Sequence, residues 1–213
     1  MKVSRFVFNM FGVNTYVVWD PESSEAAIID PGMIDDQERR ALDGFIESRK
    51  LKVTQLINTH SHLDHIFGNT YIKEKYGLEI KANPADAFLA ETLPEQASRF
   101  GMRMSLRPQG IDVELHDGDT IFLGKERMEV IGVPGHSPGG IALYCPESNF
   151  VITGDTLFPG SMGRTDLPGG DYATLADAIR RKLLTLPEST VVLSGHGVET
   201  TIGNEKKSNP FLK

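Results

Sequence analysis

The sequence predicts an α/β protein folded as a four-layer αβ/βα sandwich, with two mixed sheets packed face to face and helices outside. Three observations lead there. Short runs rich in β-branched and aromatic residues, bounded by Gly, Pro and Asn, recur along the chain. Helical patterns accompany them in two successive blocks. The helices of each block can cover only one face of its sheet, so two sheets packed together bury the rest.

In the first block, Val3–Phe8, Thr15–Trp19 and Ala26–Ile29 read as strands, punctuated by Asn14 and Pro21. Asp35–Lys50 reads as a helix with Leu42, Phe45 and Ile46 on one side. Val53–Ile57 is the next strand, and Ile66–Tyr76 is helical up to Gly77. Glu79–Ala82 is a short strand, followed by helix starts at Asn83-Pro84 and Leu93-Pro94. The second block has strands at 111–115, 120–123, 127–133, 140–144 and 149–153 and a helix from Tyr172 to about Leu184. A strand at 190–193 and a helix near Glu199–Lys206 complete it. The halves meet near 104–110, which includes Arg107-Pro108-Gln109-Gly110 and is too short to separate independent domains. Residues 1–213 are therefore expected to form a single domain.

The chemistry is concentrated in Thr59-His60-Ser61-His62-Leu63-Asp64-His65, which holds three of the chain's six histidines. Imidazole and carboxylate are the ligands of zinc, iron or manganese sites with an open coordination position. In an extended segment His60 and His62 point the same way, whereas Asp64 and His65 follow where the chain turns into a helix. One loop can thus serve two neighbouring ions. His136, Asp155 and His196 each sit just beyond a β-run beside glycine or proline, where loops carry function on a rigid scaffold. His116 lacks that placement and reads as part of a surface hairpin turn between 111–115 and 120–123.

The order His-x-His-x-Asp-His, then His, Asp and His resembles the metallo-β-lactamase superfamily, and within it the short glyoxalase II-like hydrolases. The similar segments include Ile29-Asp30-Pro31-Gly32, Gly135-His136-Ser137-Pro138-Gly139 and Thr153-Gly154-Asp155-Thr156-Leu157-Phe158. Gly163-Arg164-Thr165-Asp166 and Asn209-Pro210-Phe211-Leu212 extend the likeness to nearly the whole chain. The resemblance implies that His60, His62 and His136 hold one metal, that Asp64, His65 and His196 hold a second, and that Asp155 bridges them. Seven ligands suit two divalent ions, zinc first, with iron or manganese as alternatives. It further implies hydrolysis by a metal-bridging hydroxide, oriented by Asp64, with a thioester such as S-lactoylglutathione or a related acyl thioester as the small-molecule substrate. Asp30 is a candidate partner for a ligand histidine. Arg164 and Asp166 are read as an internal ion pair of their loop, with substrate contact as the alternative. Phe67, Phe158 and Met162 flank the ligands and are candidates for the pocket lining.

Ser137, in a Ser-Pro-Gly turn, and Cys145, in the apolar run Ile141–Cys145, read as structural residues rather than nucleophiles. A lone cysteine excludes an internal disulfide. The N-terminus has no continuous apolar region, so no signal peptide is expected and the cytoplasm is the expected compartment. A net charge of −7 disfavours a nucleic-acid partner, and no apolar stretch is long enough to span a membrane. The chain ends at Lys213 without the C-terminal helical domain that grips glutathione in full-length glyoxalase II, so weak selection of the thiol carrier is expected. The alternatives to a thioesterase are a mononuclear iron persulfide dioxygenase, a lactonase or phosphodiesterase, and a non-catalytic metal-binding protein.

Overall fold

A computed structural model describes residues 1–102 and 106–213. Strands β1 (Lys2–Phe8), β2 (Val13–Trp19) and β3 (Glu25–Ile29) run antiparallel in sequence order. Helix α1 (Asp36–Ser48) starts where the Asp35 carboxylate accepts from the N–H groups of Gln37 and Glu38, and it carries the chain to β4 (Lys52–Ile57), parallel to β3. Two short helices, α2 (Leu63–Ile66) and α3 (Asn69–Tyr76), lead to β5 (Ile80–Ala82). Helices α4 (Ala87–Glu91) and α5 (Leu93–Arg99) precede β6 (Val113–Glu114), which closes the first sheet in the order β1-β2-β3-β4-β5-β6.

The second sheet has the order β14-β13-β10-β9-β8-β7. It comprises β7 (Thr120–Leu123), β8 (Glu126–Gly132), β9 (Ile141–Cys145) and β10 (Phe150–Gly154), followed later by β13 (Val191–Ser194) and β14 (Thr200–Thr201). Between β10 and β13 lie a small hairpin, β11 (Leu157–Phe158) with β12 (Ser161–Met162), and helix α6 (Tyr172–Ala178), which continues as a π-helical turn through Leu183. Helix α7 (Ile202–Ser208) follows β14 and is capped by the Thr201 hydroxyl.

Period-two alternation builds the layers. Tyr16, Val18, Ala27 and Ile29 of the first sheet face Val130, Ile141, Leu143 and Ile152 of the second in the central core. The intervening residues Val17, Ile28 and Leu56 turn outward onto Leu42, Ile46 and Ile72 of α1 and α3. On the other side, Ala142, Val151 and Val192 pack under Leu175, Ile179 and Ile202. Helix, sheet, sheet and helix thus form the four layers.

The structure corrects several boundaries. The helix expected over 66–76 is two helices broken at Phe67-Gly68. The Gly68 N–H donates to Pro31 O at 2.7 Å instead of reaching back to Asp64, whose carbonyl accepts from Asn9 Nδ2 at 3.2 Å. The last helix begins at Ile202, not near Glu199, because Thr200 and Thr201 first pair with β13. His116 does not lie in a hairpin. Residues 113–114 pair with β5 in the first sheet and 120–123 pair with β8 in the second, so His116 lies on the crossover between sheets. Alternation marks a strand without naming its partner. The junction placed near 104–110 falls partly outside the described residues. Its described part is tied in by Gln109, which donates to Ile66 O and accepts from Asn69.

Candidate metal centre

Every residue of the centre lies just past the end of a strand. Asp30 follows β3, the segment Thr59–His65 follows β4, His136 follows β8, Asp155 follows β10 and His196 follows β13. The parallel pairs β3/β4 and β10/β13 end side by side, which brings Asp30 beside Thr59 and Asp155 beside His196. The two sheets are joined at this end by Ile141 N–H donating to Thr59 O at 2.8 Å. Gly195 N–H donates to Gly154 O at 2.8 Å, and a Cβ on Gly195 would lie on Asp155 Oδ1 and the His65 ring, so only glycine permits this approach.

Two sets of potential ligands result. His60, His62 and His136 form one and Asp64, His65 and His196 the other, the ligand atoms of each set lying within 4.8 Å of one another. Asp155 stands between them. Its Oδ1 is 3.4 Å from His65 Nε2, and its Oδ2 is 3.5 Å from His196 Nε2 and 3.7 Å from His136 Nε2. Asp64 Oδ2 is 3.2 Å from His196 Nε2 and 3.7 Å from His65 Nε2. Two ligands on a tetrahedral zinc stand about 3.3 Å apart.

The surroundings leave the inward nitrogens free. His65 Nδ1 donates to Asp30 Oδ2 (3.0 Å), His136 Nδ1 to Arg164 O (2.7 Å), and His196 Nδ1 to Phe11 O (3.1 Å). His60 Nδ1 meets the Thr59 hydroxyl at 3.2 Å, and that hydroxyl in turn donates to Asp30 Oδ2 at 2.6 Å. Each ring therefore keeps a proton on Nδ1 and turns Nε2 inward. His62 is reversed, with Nδ1 facing His136 Nε2 at 2.9 Å. The buried Nε2 atoms of His60 and His65 and Oδ1 of Asp155 have no hydrogen-bond partner among the described residues. Buried polar atoms are rarely left unpaired, and these converge on one space. Such a donor set suits divalent cations. Asp30, although grouped with His60 and His65, has both oxygens occupied: Oδ1 accepts from Thr59 N–H at 2.7 Å and Oδ2 from Thr59 Oγ1 and His65. It orients ligands instead of offering a free one.

The electrostatics agree. Burial and the neighbouring imidazoles hold His60 far below the usual histidine range and His62 down to about 3, so both rings stay neutral. Burial also opposes a charge on His65, but Asp64, Asp155 and Asp30 together outweigh it and raise the group well above that range. Burial resists ionisation of Asp155, yet His65 and the other imidazoles keep it well below the usual carboxylate range. A divalent cation held here would balance these carboxylates and take the place of the second His65 proton.

A further carboxylate ties the two loops of the first ligand set together. Asp86, fully buried before α4, accepts from Ser61 N–H (3.1 Å), Ser137 Oγ (2.7 Å) and Gly139 N–H (2.6 Å). It clamps the His60–His62 loop to the His136 loop. Nothing in the local pattern at Asn83-Pro84 pointed to it. Ser137 is thus committed to Asp86, and Cys145 is buried in the central core, where desolvation raises its thiol far above the usual range.

A family model described as the metallo-β-lactamase superfamily matches residues 9–196. The chain belongs to that superfamily. It is 42% identical to hydroxyacylglutathione hydrolase GloC of Haemophilus influenzae over 219 residues, spanning 100% of this chain and 98% of that protein. Among solved structures it is similar to BLEG-1 B3 metallo-β-lactamase, with a TM-score of 0.87, 33% identity and full coverage of both chains. It is also similar to TTHA1623 in a di-iron-bound form, with a TM-score of 0.86 and 34% identity over 98% of this chain and 100% of that one. The four-layer sandwich is the fold shared with these metallo-β-lactamase relatives.

In this member of the superfamily the centre opens into a cavity of about 600 Å³. His62, Asp64, His136, Asp155 and His196 form its floor. The apolar lining was not read from sequence: Phe11 from the β1–β2 turn, Leu63 of α2, Phe88 and Leu89 of α4, Phe100 after α5, and Leu167-Pro168; Thr92, Glu95, Gln96 and Arg99 add polar groups. Phe67, Phe158 and Met162 do not line it. Phe67 packs in a cluster with Leu63, Ala90 and Leu93, and Met162 packs under α6 with Leu157. Proximity in sequence to a ligand did not translate into direction. Arg164 lines the cavity and pairs with Asp166 through two contacts of 2.7 Å, so the internal pair and a place in the wall coexist. Among the described residues no helix is long and apolar enough to cross a membrane.

Proposed function

We propose that the chain is a binuclear metal-dependent hydrolase of acyl thioesters, of the glyoxalase II type. The observation that supports this most strongly is the position of Asp155, within 3.4–3.7 Å of nitrogens from both ligand sets. In this reading His60, His62 and His136 would hold one ion, Asp64, His65 and His196 the other, and Asp155 would be shared. Zinc is the first candidate, with iron and manganese as alternatives. Bound divalent ions supply Lewis acidity, lowering the pKa of water to about 7 and polarising a carbonyl. The chain's own contribution is placement. Asp30, Thr59, Arg164 O and Phe11 O fix the tautomers and orientations of four imidazoles. Asp64 accepts a hydrogen bond from the attacking water and aims it at the substrate.

Water adds to the thioester carbonyl carbon, the C–S bond breaks, and the products are a carboxylate, a thiol and one proton. No protein nucleophile takes part, since Ser137 is engaged by Asp86 and Cys145 lies in the core. The likeness to hydroxyacylglutathione hydrolase GloC supports the thioester as substrate class. The likeness to a B3 metallo-β-lactamase makes β-lactam hydrolysis the second reading, although a thioester offers the better leaving group. The deciding experiment is turnover of S-lactoylglutathione and of a chromogenic β-lactam by zinc- and iron-loaded protein. Thioester turnover supports the proposal. Lactam turnover alone replaces it with the second reading, and oxygen uptake on a persulfide by the iron form alone replaces it with the dioxygenase.

A further inference from the structure

The cavity above the metal floor is far larger than a lactoyl group requires, and apolar side chains from separate segments make up most of its wall beside the polar Thr92, Glu95, Gln96, Arg99 and Arg164. Phe88 and Phe100 are 40% and 52% exposed, although both are large and apolar. Exposed aromatics gathered around a concave site mark a binding surface. Phe11 and Phe100 meet edge to face at 5.4 Å across one side. Leu167 and Pro168 line the cavity with Phe88, whose ring tip lies 3.5 Å from where a Cβ on the adjoining Gly169 would sit. These walls are registered to the floor. Phe11 supplies the carbonyl that orients His196, and Arg164, three residues before Leu167, supplies the one that orients His136.

We infer that this cavity selects acyl thioesters whose acyl group is apolar and larger than lactoyl, an aryl or medium-length alkyl group lying between Phe88, Leu167 and the Phe11–Phe100 pair. The inference rests on the thioester reading above and adds a substrate class to it. Each methylene removed from water contributes up to about a fourfold gain. An acyl series on one small neutral carrier, N-acetylcysteamine, therefore measures the wall directly.

The test is kcat/KM of zinc-loaded protein on the acetyl, lactoyl, hexanoyl and phenylacetyl thioesters, together with calorimetric binding of the products acetate and hexanoate. The expected result is a rise of roughly 30-fold or more from acetyl to hexanoyl. Hexanoate should bind correspondingly tighter than acetate, and Phe88→Ala or Phe100→Ala should cut the hexanoyl-to-acetyl ratio at least about fivefold. A flat acyl series, or a ratio unchanged in both variants, overturns the inference while leaving thioester hydrolysis in place. If no thioester turns over, the hydrolase reading fails, and the product-binding arm still decides whether the apolar site exists. Equal binding of acetate and hexanoate then refutes that as well.

Discussion

Replacing Asp30 with Asn isolates the contribution of the group behind the ligands. Both Asp30 oxygens only accept: Oδ1 from Thr59 N–H at 2.7 Å, Oδ2 from Thr59 Oγ1 at 2.6 Å and from His65 Nδ1 at 3.0 Å. Asp30 has φ +51°, a left-handed conformation that Asn tolerates, so the backbone should stay in place where Ala would strain it. An amide has one acceptor atom, so its NH₂ must face a donor whichever way it turns. If the NH₂ faces Thr59 N–H, a buried donor goes unsatisfied at about 1–3 kcal/mol of stability. If it faces His65, the ring must shift its proton to Nε2, the nitrogen aimed at Asp155 and Asp64. Loss of such an orienting partner lowers metal affinity by about 10–100-fold, or about 1.4–2.7 kcal/mol. Competition between metal-stripped protein and a chromophoric chelator reads the affinity, and thermal melting reads the stability. Asp30→Asn protein with wild-type metal affinity and unchanged stability would refute the idea that Asp30 holds His65 and Thr59 in place.

Asp155→Ala should abolish the link between the ligand sets, lowering thioester turnover by orders of magnitude and metal content below two per chain, with the circular dichroism spectrum preserved. Asp86→Ala leaves three buried donors without an acceptor, so it should cost about 3 kcal/mol or more in denaturant titration. It should also loosen the His60, His62 and His136 ion first, seen as earlier loss of one ion to a chelator. Ser137→Ala removes one bond to a buried carboxylate and should cost about 1.5–3 kcal/mol while retaining turnover. Turnover lost at unchanged metal content would point to a serine nucleophile. In the metal-stripped protein the raised His65 value means that its stabilisation is full below the unfolded value of 6.5 and is lost as pH rises through the folded one. The depressed values of His60 and His62 mean that stability falls as pH drops below 6.5, for His62 down to about 3. Zinc removes the alkaline loss by replacing the His65 proton, so melting curves of the two forms should diverge as pH rises from neutral.

The seven candidate ligands that the fold brings together each carry a local signal in the sequence: a dense His-x-His-x-Asp-His run, or a lone His or Asp beside glycine at the end of a β-run. The strands were readable from alternation, since Val17 and Val18 on β2 serve opposite faces. What alternation cannot supply is the partner, which is why the pattern around His116 reads as a hairpin although the chain crosses between sheets there. Asp86 was invisible because its three donors lie 25, 51 and 53 residues away. The cavity wall was invisible for the same reason, drawing Phe11, Phe88, Phe100 and Leu167 from four separate segments. Phe67 follows His65 closely and Met162 lies on the hairpin after Asp155, but the break at Gly68 and the β11–β12 hairpin direct them into packed clusters.

The most direct test of the binuclear thioesterase is a titration of metal-stripped protein with zinc, following bound ions per chain by elemental analysis and thioester hydrolysis on the same samples. The geometry around Asp155 predicts saturation at two ions per chain, with turnover appearing as the second is bound. Saturation at one ion with full turnover would contradict a shared Asp155, and two bound ions without turnover of any thioester would contradict the assigned reaction.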